Sequence, residues 1–131
     1  MSPGVKLTKL VNFTALPPVI RRMEILYPNT KTQKLFCDDK KLRAEFGQLA
    51  KTVMARLTQL ESAETLAAMH KDFPGLRIHE YKGKDKGKIS IDLSGNYRLI
   101  FTPKTPPQKP DGGLDWNQIT AIVILEVTDP H

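Results

Sequence analysis

At 131 residues, 40% of them apolar, the chain has room for one domain around one core. Its single cysteine, Cys37, excludes an internal disulfide, and no Cys/His pattern suggests zinc. No apolar run reaches the length of a membrane span, and the N-terminus lacks the apolar stretch and cleavage site of a signal peptide. The expectation is a cytoplasmic protein whose formal charge of +6 favours an anionic partner such as nucleic acid.

Residues 1–22 read as an N-terminal extension, interrupted by Pro3, Pro17 and Pro18, and residues 23–131 as the domain. Met23 to Tyr27 (MEILY) predicts a short strand that Pro28 stops. Cys37 is expected to be a small buried apolar residue. Asp38 and Asp39 precede a helical pattern, where carboxylates cap free N–H groups and face the positive helix end. Leu42, Phe46, Leu49, Val53, Leu57 and Leu60 then recur at helical spacing. They form the apolar face of one helix or of two packed helices, with Gly47 as a joint. Ala63 to His70 predicts a further short helix, ended by Pro74-Gly75. His70 suits that helix C-terminus as a cation and receives no catalytic role.

The second half changes to a period of two. Leu76, Ile78 and Glu80 alternate with Arg77, His79 and Tyr81, and Ile89, Ile91 and Leu93 alternate with Lys88, Ser90 and Asp92. Ser94-Gly95-Asn96 signals a hairpin into a strand from Tyr97 to Thr102. A proline-rich loop follows from Pro103 to Gly113, with Trp116 expected to anchor it. The last strand, Ile119 to Val127, is apolar on both faces and belongs inside a sheet. The layout is α+β: a helical hairpin packed on one face of a small twisted antiparallel sheet.

Ile78 to Phe101 is the stretch richest in chemistry. Around it Arg77, Lys82, Lys84, Lys86, Lys88, Arg98 and Lys104 outnumber Glu80, Asp85 and Asp92. Imidazole moves protons, and ammonium and guanidinium groups hold phosphate, so this sheet could cut RNA. The plainer alternative is a basic hairpin that only binds something acidic. In that reading His79 is a surface strand residue, the lysines form a solvated turn, and Arg98 pairs with Asp92 across the hairpin.

The segments MEILY, DDKKLRAEFG, HEYKGKDKGKISIDLSGNYRLIF and DGGLDWNQITAIVILEVTDPH resemble the HigB branch of the RelE/ParE superfamily, the toxins of bacterial type II toxin–antitoxin pairs. The combination of H-x-x-K-G, G-N-x-R-x-x-F and a terminal D-x-H carries the likeness, from about Met23 to His131. The resemblance implies a domain that enters the ribosomal A site and cleaves mRNA without a metal or other cofactor. It also implies a HigA-like helix-turn-helix antitoxin as partner, with operator DNA bound only through the complex. The family's cleavage residues fall here on His79, Lys82, Arg98, Asp129 and His131. Its terminal tyrosine is replaced by Pro130; either a base stack is lost or it comes from elsewhere, Tyr81 being the candidate. Lys84, Lys86 and Lys88 are expected to steer RNA and the ribosome electrostatically. The superfamily fold also serves ParE-like or catalytically silent members that act by protein binding alone, which is the alternative function.

RNA cleavage of this kind needs a base for the 2′-OH, cations for the phosphorane and an acid for the departing 5′ oxygen. His79 or His131 suits base or acid, Arg98 the phosphorane, and Lys82 a nearby point charge. His131 lies beside its own α-carboxylate and close to Asp129, so a raised pKa and an acid role are expected of it.

Overall fold

The computed structural model describes residues 22–107 and 109–129. Within them a five-stranded sheet carries four α-helices against one of its faces. Strand β1 (Glu24–Leu26) is followed by helices α1 (Thr30–Phe36), α2 (Asp39–Phe46), α3 (Leu49–Ser62) and α4 (Leu66–Asp72). Strands β2 (His79–Glu80), β3 (Ile89–Asp92), β4 (Arg98–Pro103) and β5 (Ala121–Thr128) complete the chain. The sheet order is β1-β5-β4-β3-β2, so the apolar last strand is interior, as expected from its composition.

The helix boundaries follow local chemistry. Asp38 accepts the Lys40 and Lys41 amides at 2.9 and 3.2 Å and starts α2. Gly47 is the expected joint: at φ +59° it adopts a backbone that L side chains avoid, and α3 starts afresh after it. Thr65 accepts the Ala68 amide at 3.0 Å, so α4 begins at Leu66 and the Ala63–Thr65 link is not helical. Pro74-Gly75 ends α4 in a 3-10 turn, Pro74–Leu76.

Leu42, Ala50, Val53, Leu60, Leu66 and Met69 from the helices pack on Ile89, Ile91, Leu99, Phe101, Ile122 and Ile124 from the sheet. Twelve large side chains of this core are almost completely excluded from solvent. At roughly 1.5–3 kcal/mol for each fully buried aliphatic or aromatic side chain, this burial is the main stabilising term.

Three expectations are corrected, and one element, α1, is added. Strand β1 runs parallel to β5, with Ile25 opposite Ile122, so the sheet is mixed. Helix α1 has too few apolar residues to show a helical stripe; its signal is Asn29, which accepts the Thr32 amide at 2.8 Å. Cys37 is exposed, because it caps α1 with its amide on Gln33 and lies beyond the core. The strand expected from Leu76 to Tyr81 is only two residues long, because Arg77 takes a left-handed conformation at φ +51°.

A bulge between β4 and β5 sets up the opposite face. Ile100 faces Glu126 while Phe101 faces Ile124, so Leu125 is the extra residue. The alternation therefore changes parity. Ile122 and Ile124 point into the core, Glu126 turns away from it, and Val127, paired with Leu99, points in again.

Candidate functional site: the sheet face away from the helices

Side chains alternate across a strand, so Ser90 and Asp92 of β3 and Arg98 and Ile100 of β4 lie on the face away from the helices. The register aligns them in two rows. His79, Ser90, Ile100 and Glu126 form one; Asp92, Arg98 and Thr128 form the other. His79 and Arg98 thus share a face, separated by β3, which puts them roughly 10 Å apart laterally at about 4.8 Å per strand.

Asp92 organises the second row. Its Oδ1 lies 3.7 Å from Arg98 Nε, and its Oδ2 accepts a hydrogen bond from Arg77 Nε at 2.7 Å. Its backbone carbonyl accepts a third arginine, Arg56 Nε from α3, at 2.9 Å. The cross-strand ion pair anticipated for Arg98 is therefore present. Its closest approach is through Nε, at a distance of an ion pair and not of a hydrogen bond.

His79 is exposed, and its ring meets Tyr81 edge-on, centroids 4.9 Å apart. Tyr81 continues the ladder beyond β2 by donating its amide to Lys88 at 2.9 Å. Tyr81 also lines a cleft of about 350 Å³ with Lys82, Lys86, Asp111, Gly112 and Glu80. Here the loop after β4 closes on the lysine turn. The Gly113 amide, then the Lys109 ammonium, hold the Asp111 carboxyl below the usual carboxylate range, with Lys82 adding to the effect. Lys82 is therefore grouped with Asp111 on the cleft side, and joined to His79 through Tyr81. Lys84 and Lys86 are exposed, and Lys88 is half-buried with its ammonium 3.4 Å from Asp85.

Trp116 anchors the loop as expected, donating its indole N–H to Glu80 at 2.9 Å and meeting His70 edge-on. Asp129 follows Thr128 directly and so leaves the sheet at the Arg98 row. Pro130 and His131 lie outside the described residues, as do residues 1–21 of the extension. Among the described residues no group of three or more His, Cys, Asp or Glu side chains is disposed to hold a metal ion. No helix among them is long and apolar enough to cross a membrane.

Arg77 and its tether Asp92 were not singled out as site residues by motif. The period-two pattern had carried the signal, since it put Arg77 on one face with His79 and Tyr81, and Asp92 on one face with Ser90 and Lys88.

Comparison with curated proteins finds no match. A family model, described as the RelE-like toxin of the type II toxin–antitoxin system HigB, matches residues 26–105. That span runs from the end of β1 through β4 and contains His79, Lys82 and Arg98. A match over more than half of the chain, on an α+β fold of the kind the resemblance implied, shows that this protein belongs to the HigB-like family of RelE-like type II toxins.

Proposed function

We propose that this toxin is a ribosome-dependent mRNA endonuclease whose reaction takes place on the sheet face away from the helices. What supports the reading is the backbone pairing of Arg98 with Thr128, which puts Asp129 one residue beyond the Arg98 row, on the face that His79 shares. In the reaction a base removes the 2′-OH proton, the 2′ oxygen attacks the adjacent phosphorus, and the bond to the 5′ oxygen breaks. Arg98 meets the charge that grows on the phosphorane oxygens, which a forked guanidinium can pair with two at a time. Lys82 adds a mobile charge from the cleft side. His79, exposed and backed by Tyr81, accepts or returns the proton, with His131 as the second proton carrier. Tyr81 is the aromatic surface on which a splayed base can stack, in the place of the tyrosine that Pro130 replaces. No metal or cofactor is assigned a part in these steps.

The partners follow from this reading: mRNA in the ribosomal A site, with Lys84, Lys86 and Lys88 for steering, and a HigA-like antitoxin that silences the toxin. Operator DNA is bound only through the complex, and the setting is the cytoplasm.

The test is induction in a bacterial host with mapping of mRNA 5′ ends. New ends inside translated codons are expected for the parent protein. Arg98→Ala should lower cleavage by about 10²–10³-fold, the effect of removing one transition-state donor. Growth arrest without new ends would instead identify a toxin that acts by protein binding alone.

A further inference from the structure

Arg77 stands outside the catalytic set proposed above, yet it makes the shortest ion pair on this face. Its Nε lies 2.7 Å from Asp92 Oδ2, while Arg98 Nε lies 3.7 Å from Oδ1 of the same carboxylate. One aspartate thus spaces two guanidinium groups, one on each oxygen. Arg56 fixes the aspartate from behind through its backbone carbonyl, and Arg56 is itself held by Gln59 at 3.1 Å.

Two features argue that this arrangement serves more than folding. The Arg77 side chain is 75% exposed, and an ion pair so open to water contributes little stability. Its backbone sits at φ +51°, the only positive φ of a non-glycine residue among the described residues. Glycine would fit that position without strain, so an arginine there carries a backbone cost that its exposed ion pair does little to offset. Each guanidinium makes its closest contact with Asp92 through Nε, and a guanidinium carries five N–H donors, more than one carboxylate oxygen can take up. Three guanidinium groups, those of Arg56, Arg77 and Arg98, gather here against the carboxylates of Asp92 and of Asp129, one residue past Thr128, an excess of cations suited to an anion.

We infer that Arg77 and Arg98 form a paired guanidinium clamp for the phosphodiester backbone of single-stranded RNA, spaced by Asp92. This rests on the endonuclease reading of the same face. Arg77 touches the RNA backbone as a binding residue, and Asp92 acts through both arginines as a positioning residue.

The test uses full-length toxin and a fluorescent 2′-O-methyl RNA oligonucleotide, which lacks the attacking hydroxyl and cannot be cut. Affinity is measured against salt concentration. Arg77→Ala should reduce the slope of log affinity on log salt by about 0.7, the loss of one single-strand phosphate contact. Arg77→Gly, which relieves the strained backbone, should show the same loss and so separates the guanidinium from any folding effect. Lys51→Ala, on the exposed side of α3, should leave the slope unchanged. Asp92→Asn should bind RNA at least as tightly while losing ribosome-dependent cleavage, because it removes the carboxylate charge and one of the two oxygens that space the arginines, and not the cations. A parental slope in both Arg77 variants overturns the clamp. A reduced slope in a protein that makes no new mRNA ends keeps the clamp and rejects the endonuclease.

Discussion

Glu80 holds Trp116: the indole N–H donates to Oε1 at 2.9 Å, and the other oxygen, Oε2, accepts the Leu114 amide at 3.0 Å. One carboxylate on β2 therefore fixes the loop between β4 and β5, and with it the side of the cleft that carries Asp111 and Gly112. Both bonds are partly buried, so deleting the acceptor leaves two donors without a partner.

The first stability prediction concerns this carboxylate. Glu80→Ala should lower unfolding stability by about 1–3 kcal/mol, the range for leaving a buried donor unsatisfied. Glu80→Gln retains one acceptor and should lose less. Urea unfolding, followed by the fluorescence of the only tryptophan, reads both stability and the polarity around Trp116. An unchanged midpoint for Glu80→Ala would show that the loop is held by packing alone.

Ser90 is fully buried between His79 and Ile100, and its hydroxyl has no hydrogen-bond partner among the described residues. A buried hydroxyl with nothing to bond costs free energy. Ser90→Ala should therefore change stability by less than about 1 kcal/mol and in the stabilising direction, since the lost volume is small. Thermal unfolding of the two proteins checks the sign. A loss of about 2 kcal/mol or more would mean that the hydroxyl is satisfied in solution.

How far the fold could be read from the chain depended on whether a feature was local. The periodicity from Leu42 to Leu60 and the alternation around Ile89 and Ile91 reflect one buried face each, and both elements form where expected. The parallel pairing of β1 with β5 is a long-range choice that the five residues MEILY cannot announce. The bulge at Leu125 is equally silent, because Ile-Leu-Glu-Val reads as ordinary strand in either parity. Yet that bulge turns Glu126 outward and sets Thr128 opposite Arg98. The pairing of Arg98 with Asp92 was legible as a cross-strand neighbour in the hairpin, whereas the bond from Arg77 to the same carboxylate required β2 and β3 to be placed side by side.

Tyr27 supplies a pH dependence that can be measured. Its ring stacks on Phe36, centroids 5.9 Å apart at an 18° interplanar angle. Burial, then the hydrogen bond and charge of Cys37 and the charge of Glu61, push the phenol well above its ordinary value. The folded protein therefore keeps a proton that the unfolded chain releases near pH 10. The contribution of Tyr27 is fully present below about pH 10 and is lost as pH rises toward the folded-state pKa. Parent and Tyr27→Phe proteins should accordingly show a constant stability difference up to about pH 9.5. Above that, the parent should lose stability faster, because only its unfolded state can ionise at this site. Urea midpoints against pH, with phenolate absorbance recorded in parallel, measure the divergence. Curves that stay parallel through about pH 11 would show that the Tyr27 phenol titrates as freely in the folded protein as in the unfolded one.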